Sequence, residues 1–188
     1  MSFAFHPLTA ARWADVERLF EDTSATRNCW CMWWRIAGNA WRDTTRASRK
    51  KAFRKAVTAG PPPGILAYEG GAPVGWVQAT PRTVIPRFNA GRTSKPEREA
   101  DLQATWALSC FYTAKSHRRR GLMTDLARAA CAFAAAEGAK VVDAAPIRSK
   151  PELQWSDGYV GLVPALERAG FEPVEPRGKV RVFMRWNP

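Results

Sequence analysis

Residues 105–145 read TWALSCFYTAKSHRRRGLMTDLARAACAFAAAEGAKVVDAA. Thr105–Thr113 is β-branched, aromatic and apolar, the composition of a strand. A basic turn follows, Lys115–Arg120, closed by Gly121. Then Leu122, Leu126, Ala129, Ala130 and Phe133 recur at helical spacing, with Thr124, Asp125 and Arg128 turned away. Gly138 stops the helix, and Val141-Val142 opens a second strand. Strand, helix and strand at this length predict a βαβ unit with a right-handed crossover.

The start of the predicted helix carries the chemistry. The first N–H groups of a helix have no partner within it. Between Arg120 and Leu122 no Ser, Thr, Asp or Asn stands to cap them. The turn instead holds Lys115, His117, Arg118, Arg119 and Arg120. Bare amides, the positive end of the helix dipole and clustered cations make an anion site, and Gly121 lets backbone approach a bulky ligand. A basic turn before a helix is often only solvated surface. The strands on either side favour a phosphate or pyrophosphate held at the helix start.

Arg118-Arg119-Arg120-Gly121-Leu122-Met123 resembles the Gln/Arg-x-x-Gly-x-Gly/Ala signature of the GNAT superfamily of acyl-CoA-dependent N-acyltransferases. Arg118 matches the leading Arg and Gly121 the first Gly, while Met123 stands where a small residue is usual. Phe111-Tyr112-Thr113 occupies the place of the family's splayed strand, which hydrogen-bonds the pantetheine arm, and Gly170-Phe171 resembles the Gly-Phe opening its penultimate strand. By order of elements the resemblance covers roughly Ile65 to Trp186. It implies an α/β (α+β) fold: a mixed, mostly antiparallel central sheet with a central βαβ unit and helices on both faces. It also implies acetyl-CoA as acyl donor and no metal. The implied cofactor contacts are Phe111, Tyr112, Thr113, Arg118, Arg119, Arg120, Gly121, Leu122, Met123 and Thr124.

The 188 residues suit one domain, and 46% hydrophobic content is enough to bury a core. A net charge of +12 favours acidic partners: a phosphorylated cofactor, nucleic acid or an anionic surface. Of four cysteines, Cys110 and Cys131 read as small buried residues. Cys29-x-Cys31 is too short for the usual zinc spacing. No leader pattern opens the chain and no apolar run nears about 18 residues, so the default expectation is a soluble cytoplasmic protein with no membrane contact.

Phe3–Leu8 reads as an edge strand, and Thr9 as the cap of a helix over residues 10–21 with Trp13, Val16, Leu19 and Phe20 on one face. Trp30, Trp33 and Trp34 form the densest cluster among nine tryptophans. They suit either a core plug or an aromatic wall for substrate. In the family the segment joining the first two helices borders the acceptor pocket, which favours the wall. Arg27 and Arg35 nearby suit an acidic substrate group, though each alone reads more readily as solvated.

Residues 42–59 predict a basic helix: a solvated face, or a nucleic-acid contact that its few aromatics disfavour. ILAYE, Gly70-Gly71 and PVGWVQA predict a hairpin in which Gln78 is a candidate contact for the acceptor. Residues 81–101 read as a long loop, placed to cover the acceptor site. Its acids Glu97, Glu99 and Asp101 receive no role. A short helix at 162–169 and two strands, 171–174 and 180–186, joined by a Glu-Pro-Arg-Gly turn, complete the chain.

Acetyl transfer from CoA to an amine needs fixed phosphates, an N–H donor for the oxyanion and a route for protons. The resemblance assigns the second to a backbone N–H in Phe111–Thr113. Relatives carry a general-acid Tyr four residues before the Gly-Phe pair, and here that position is Leu166. Tyr159 and then Tyr112 are the alternatives. The acceptor, a small-molecule amine or a peptide, is not named by the sequence, and a homodimer is left open. Two other readings stand beside the enzyme: a non-catalytic CoA-binding or sensor module on the same fold, and a basic nucleic-acid-associated protein.

Overall fold

In the computed structural model, which describes residues 2–97, 101–148 and 157–188, one sheet organises the chain. In chain order its strands are β1 (Ala4–Pro7), β2 (Gly64–Glu69), β3 (Ala72–Pro81), β4 (Thr105–Thr113), β5 (Val141–Ala144), β6 (Glu172–Arg177) and β7 (Arg181–Trp186). They lie in the order β1-β2-β3-β4-β5-β7-β6. Only β4 and β5 run parallel; every other pairing is antiparallel. The helices are α1 (Trp13–Glu21), α2 (Ser24–Cys29), α3 (Arg46–Ala59), α4 (Pro86–Ala90), α5 (Leu122–Ala136) and α6 (Val163–Glu167).

Two cores lie on the two faces of this sheet. Ile65, Ala67, Val77, Ala79, Trp106 and Leu108 pack against Leu122, Leu126, Ala130 and Ala134 of α5. Leu66, Tyr68 and Trp76 face the other way, onto Val16, Leu19 and Phe20 of α1 and Phe53 of α3. The period-2 alternation of β2 and β3 sorts alternate side chains between the two layers.

Along β4 that alternation breaks once. Gln78 pairs with Ser109 and Trp76 with Tyr112, so Val77 alone opposes Cys110 and Phe111. This is a β-bulge, and Cys110 takes a left-handed φ of 52° within it. The extra residue resets the facing. Trp106 and Leu108 point to the α5 layer, but beyond the bulge Cys110 and Tyr112 join the α1–α3 layer and Phe111 returns to α5. Pairing between β4 and β5 stops at Leu108–Ala144, so Ser109–Thr113 has no strand partner on the β5 side. The two parallel strands part there.

Several local expectations are corrected. Thr9 makes no side-chain cap; a 3₁₀ turn, Ala10–Arg12, precedes α1, and the Thr9 hydroxyl accepts from Arg12 instead, at 3.5 Å. The basic helix begins at Arg46 rather than Arg42, because Thr45 and Ser48 close a reciprocal capping box. Thr124 is not turned away: it is buried, and its Oγ1 donates to the Ala165 carbonyl at 3.1 Å. The last hairpin turns at Gly178, since β6 continues through Arg177.

Residues 81–97 are not an open loop. Arg82 opens a 3₁₀ turn (Arg82–Val84), α4 follows, and the Arg82 side chain is fully buried. Its Nη1 donates to the buried carboxylate of Asp143 at 2.8 Å, its Nε to Asn89 at 3.1 Å and its Nη2 to the Ser94 carbonyl at 2.6 Å. Arg185 holds the other Asp143 oxygen at 2.9 Å. Glu99 lies outside the described residues. Removing one partner of a buried ion pair strands the other charge, at a cost of about 3 kcal/mol or more. Arg82→Met is expected to lower stability by about 3 kcal/mol in urea unfolding, because Arg185 alone then compensates Asp143.

Candidate active site

The turn before α5 leaves its amides bare. Arg119 has φ 60° and Gly121 φ 80°, both left-handed. Left-handed residues in a turn are the kind of backbone from which N–H groups can converge on an anion. Among the described residues no acceptor meets the N–H of Arg119, Arg120, Gly121, Leu122 or Met123; the first α5 N–H with a partner is that of Thr124, bonded to the Gly121 carbonyl at 2.9 Å. A Cβ on Gly121 would meet no atom within 4 Å, so the space beside it is open.

The cations of this turn divide into two sets. Arg120 Nη2 donates to Glu69 Oε1 at 2.6 Å, and His117 Nε2 lies 2.9 Å from Glu69 Oε2. Glu69, at the end of β2, is held below the usual carboxylate range, first by its hydrogen bond from Arg120 and then by that from His117. The Arg120 side chain is thus committed to a clamp on the β2–β3 hairpin, while its backbone N–H stays among the bare amides. Arg118 and Arg119 line the open cleft instead, together with Gly121, Leu122, Met123 and Thr124.

This cleft, of about 400 Å³, runs up to Phe111, Tyr112 and Thr113 where β4 leaves β5. Its far wall is the segment carrying Gly158, Tyr159 and Leu162. Gly161 permits that approach: it has φ +88°, and a Cβ there would stand 3.2 Å from the Phe111 ring. A second cavity, of about 660 Å³, lies on the α1–α3 side, lined by Trp33, Trp34, Trp41, Trp76 and the thiols of Cys29, Cys31 and Cys110. Tyr112 and Tyr159 line both spaces, so they stand at the junction.

The other expected contacts fall in different places. Trp30 is fully buried, stacked 5.8 Å from Trp13, so it belongs to the core, whereas Trp33 and Trp34 do reach the cavity. Gln78 is fully buried and its amide is used at both ends, accepting from Arg35 Nε at 3.1 Å and donating to Ser109 Oγ at 2.9 Å. One bond at each end is thus in use, and Gln78 lines neither of these two spaces. Leu166 is buried in the α5 core. The Tyr112 hydroxyl donates to the Asp22 carboxylate, and burial followed by that bond raises its pKa. Burial likewise raises the pKa of Tyr159. Asp22, Glu69 and the Cys110 bulge were not foreseen; nothing in sequence marks a carboxylate that meets its tyrosine across 90 positions.

The family model described as Acetyltransferase (GNAT) family matches residues 26–150. The chain belongs to the GNAT acetyltransferase family. No curated protein matches it. Among solved structures it is similar to aminoglycoside acetyltransferase AAC(6')-Ib in complex with coenzyme A and kanamycin, at 20% identity and TM-score 0.58, covering 99% of this chain and 95% of that one. It is similar to the paia N-acetyltransferase from Thermoplasma acidophilum in complex with coenzyme A, at 14% identity and TM-score 0.54 over the full length of both. A putative phosphinothricin N-acetyltransferase matches at 14% identity and TM-score 0.53, covering 99% and 98%. At these identities the likeness is one of fold: a mostly antiparallel mixed sheet with helices, as the family resemblance implied. No helix among the described residues is long and apolar enough to cross a membrane.

The split among the cations predicts a contrast in this GNAT protein. Arg118→Ala is expected to weaken acetyl-CoA binding about tenfold, the worth of one charge-assisted contact. Arg120→Ala is expected to change it less than about threefold, since that guanidinium serves Glu69. Calorimetric titration of both variants checks the pair.

Proposed function

We propose that this GNAT protein is an N-acetyltransferase that moves the acetyl group of acetyl-CoA to the amine of a small molecule. The observation that carries the reading is the row of bare N–H groups at the start of α5, opening onto a cleft that meets an aromatic cavity at Tyr112 and Tyr159. A diphosphate suits that row by charge and by donor geometry. The parted edge of β4 suits an extended arm that needs amide partners. When bound, acetyl-CoA supplies an activated thioester to the junction of the two spaces.

The chain's own groups then have defined tasks. Backbone N–H groups of Phe111–Thr113 stabilise the negative charge that develops on the carbonyl oxygen as the amine nitrogen attacks. The nitrogen gives up a proton to solvent, the carbon–sulfur bond breaks, and the departing sulfur takes a proton. Tyr159 is the donor we assign to it. Its pKa is raised, so it holds its proton at neutral pH. Tyr112 is the weaker candidate, because its proton already points at Asp22.

A cavity walled by Trp33, Trp34, Trp41 and Trp76 favours a small acceptor with an apolar body. The basic face of α3 gives less support to nucleic acid, since Arg46 is paired to Glu21 and Lys50 to Glu17.

Purified protein with saturating acetyl-CoA is expected to show a raised Tm, and thiol release with at least one member of an amine panel. Absence of any Tm shift removes the reading; a shift without turnover across the panel turns it into a CoA-binding module. Gly121→Asp places a charge and bulk against the diphosphate and is expected to abolish the shift. Tyr159→Phe is expected to lower kcat about a hundredfold with little change in KM. With its pKa above the ordinary value, Tyr159 keeps its proton until pH passes that higher value, so the wild-type rate should not fall between about pH 7 and 9.

A further inference from the structure

Trp33 and Trp41 line the aromatic cavity, and each has a guanidinium laid over its ring. Arg87, from α4, stands 4.1 Å from the centre of the Trp33 ring, and Arg49, from α3, 3.6 Å from that of Trp41. The two rings meet edge to face at 5.1 Å, and Trp34 meets Trp33 in the same way at 6.4 Å. Trp33 is nevertheless 38% exposed.

The same two arginines fix the segment that carries these rings. Arg49 donates to the carbonyls of Asn28 at 3.0 Å, Trp41 at 3.3 Å and Thr44 at 3.0 Å. Arg87 donates through Nε to the Ile36 carbonyl at 3.0 Å and through Nη2 to that of Gly38, and its backbone N–H donates to the Trp34 carbonyl at 3.2 Å. The aromatic wall is thus tied at several carbonyls to two separate helices. A wall ordered in advance asks little further entropy of a ligand.

Four tryptophans among the described residues line this cavity, and such a lining suits either of two ligands. One is an ammonium group held over the ring faces; the other is a flat ring packed among them. The arginines decide between the two. A guanidinium over a ring uses the negative π density that attracts an ammonium, and Trp33 and Trp41 are both engaged in this way. Of the other rings, Trp76 is fully buried with its Nε1 donating to Cys31 Sγ at 3.0 Å, and Trp34 packs edge to face on Phe88 at 5.2 Å. A ring drained of π density by a cation remains a good partner for an electron-rich ring, offset or edge to face. The thiols of Cys29, Cys31 and Cys110 add soft, polarizable surface to the same wall.

We propose that the acceptor is an arylalkylamine, its aromatic ring packed against Trp33 and Trp41 and its amine directed to Tyr112 and Tyr159, which line the same cavity. The proposal rests on the N-acetyltransferase reading and narrows its small acceptor to one class. Trp33 and Trp41 are then specificity-determining residues, and Arg49 and Arg87 are positioning residues that act through them.

The test compares thiol release from acetyl-CoA with phenethylamine, with cyclohexylethylamine, whose ring is apolar but not aromatic, and with kanamycin as a polycation. Burial of apolar surface alone favours the cyclohexyl amine. Phenethylamine is instead expected to give a kcat/KM at least about threefold higher, the worth of one aromatic pair, and kanamycin to be poorest. Trp33→Leu should bring the ratio of the first two amines close to one, and Trp33→Phe should keep most of it, a contrast that a merely structural role for Trp33 does not predict. The acetyl-CoA-induced Tm rise shows that each variant is folded; should Trp33→Leu not fold, Trp41→Leu is expected to cut the ratio in the same way. A wild-type ratio near or below one, a ratio unchanged in the leucine variant, or kanamycin as the best acceptor overturns the proposal. Where no amine turns over, calorimetric titration in the presence of CoA decides: tighter binding of phenethylamine than of the cyclohexyl amine supports it, and equal, weaker or absent binding overturns it. Failure of the underlying reading shows separately, as loss of the Tm shift with acetyl-CoA.

Discussion

The bulge at Cys110 is the constraint on which the site depends. Strand side chains alternate strictly, so without an extra residue Tyr112 would point to the same layer as Leu108, into the packing of α5. One inserted residue, with Cys110 held at φ 52°, moves Tyr112 to the layer that holds the aromatic cavity and keeps Phe111 in the other. The same stretch is where β5 stops pairing. A single irregularity thus frees an edge of β4 and aims a hydroxyl at the space beyond it. A non-glycine residue at positive φ is strained, and the packing of Cys110 beside Trp76 and Tyr112 in the α1–α3 core is what can hold it there.

The basic turn before α5 is shaped by subtraction as much as by accumulation. It carries Lys115, His117 and three arginines, and Glu69 takes up part of that charge through Arg120 and His117. That clamp ties the turn to the end of β2, so the remaining donors are held rather than left on a mobile loop. The donors nearest the open space are backbone N–H groups, whose positions are set by φ/ψ and not by rotamers. Orientation then costs little entropy when a ligand arrives.

What sequence made legible was what is local. Alternation and Gly70-Gly71 fixed the hairpin; Gly121 and the helical recurrence after it fixed α5. What it hid was distant pairing of charges. Arg82 and Arg35 each read as solvated, yet their partners lie 61 and 43 positions away, on Asp143 and Gln78. Composition cannot show that a strand will come to lie beside an arginine. Trp30 was equally opaque: it takes a left-handed turn at the end of α2 that drops its ring into the core, while Trp33 and Trp34 continue to the cavity. Bulges are hard to read for a related reason, since Cys at position 110 carries no signal of positive φ, whereas Gly would have.

The replacement of the expected tyrosine by Leu166 bears on how protons move. That position is sealed in the α5 core here, so no water or side chain there can serve the sulfur. The two tyrosines at the junction are not equivalent substitutes. Tyr112 donates its hydroxyl hydrogen bond to Asp22, and passing that proton to another acceptor would leave a carboxylate without its donor. That bond suits a positioning role, holding the ring between the two spaces. Tyr159 stands on the opposite wall, on a segment set against β4 by the missing side chain of Gly161. Burial favours its neutral form, which is the form an acid needs. The proton donor we propose thus lies a few residues upstream of Leu166, on a turn that lines the cleft which Leu166 itself does not reach.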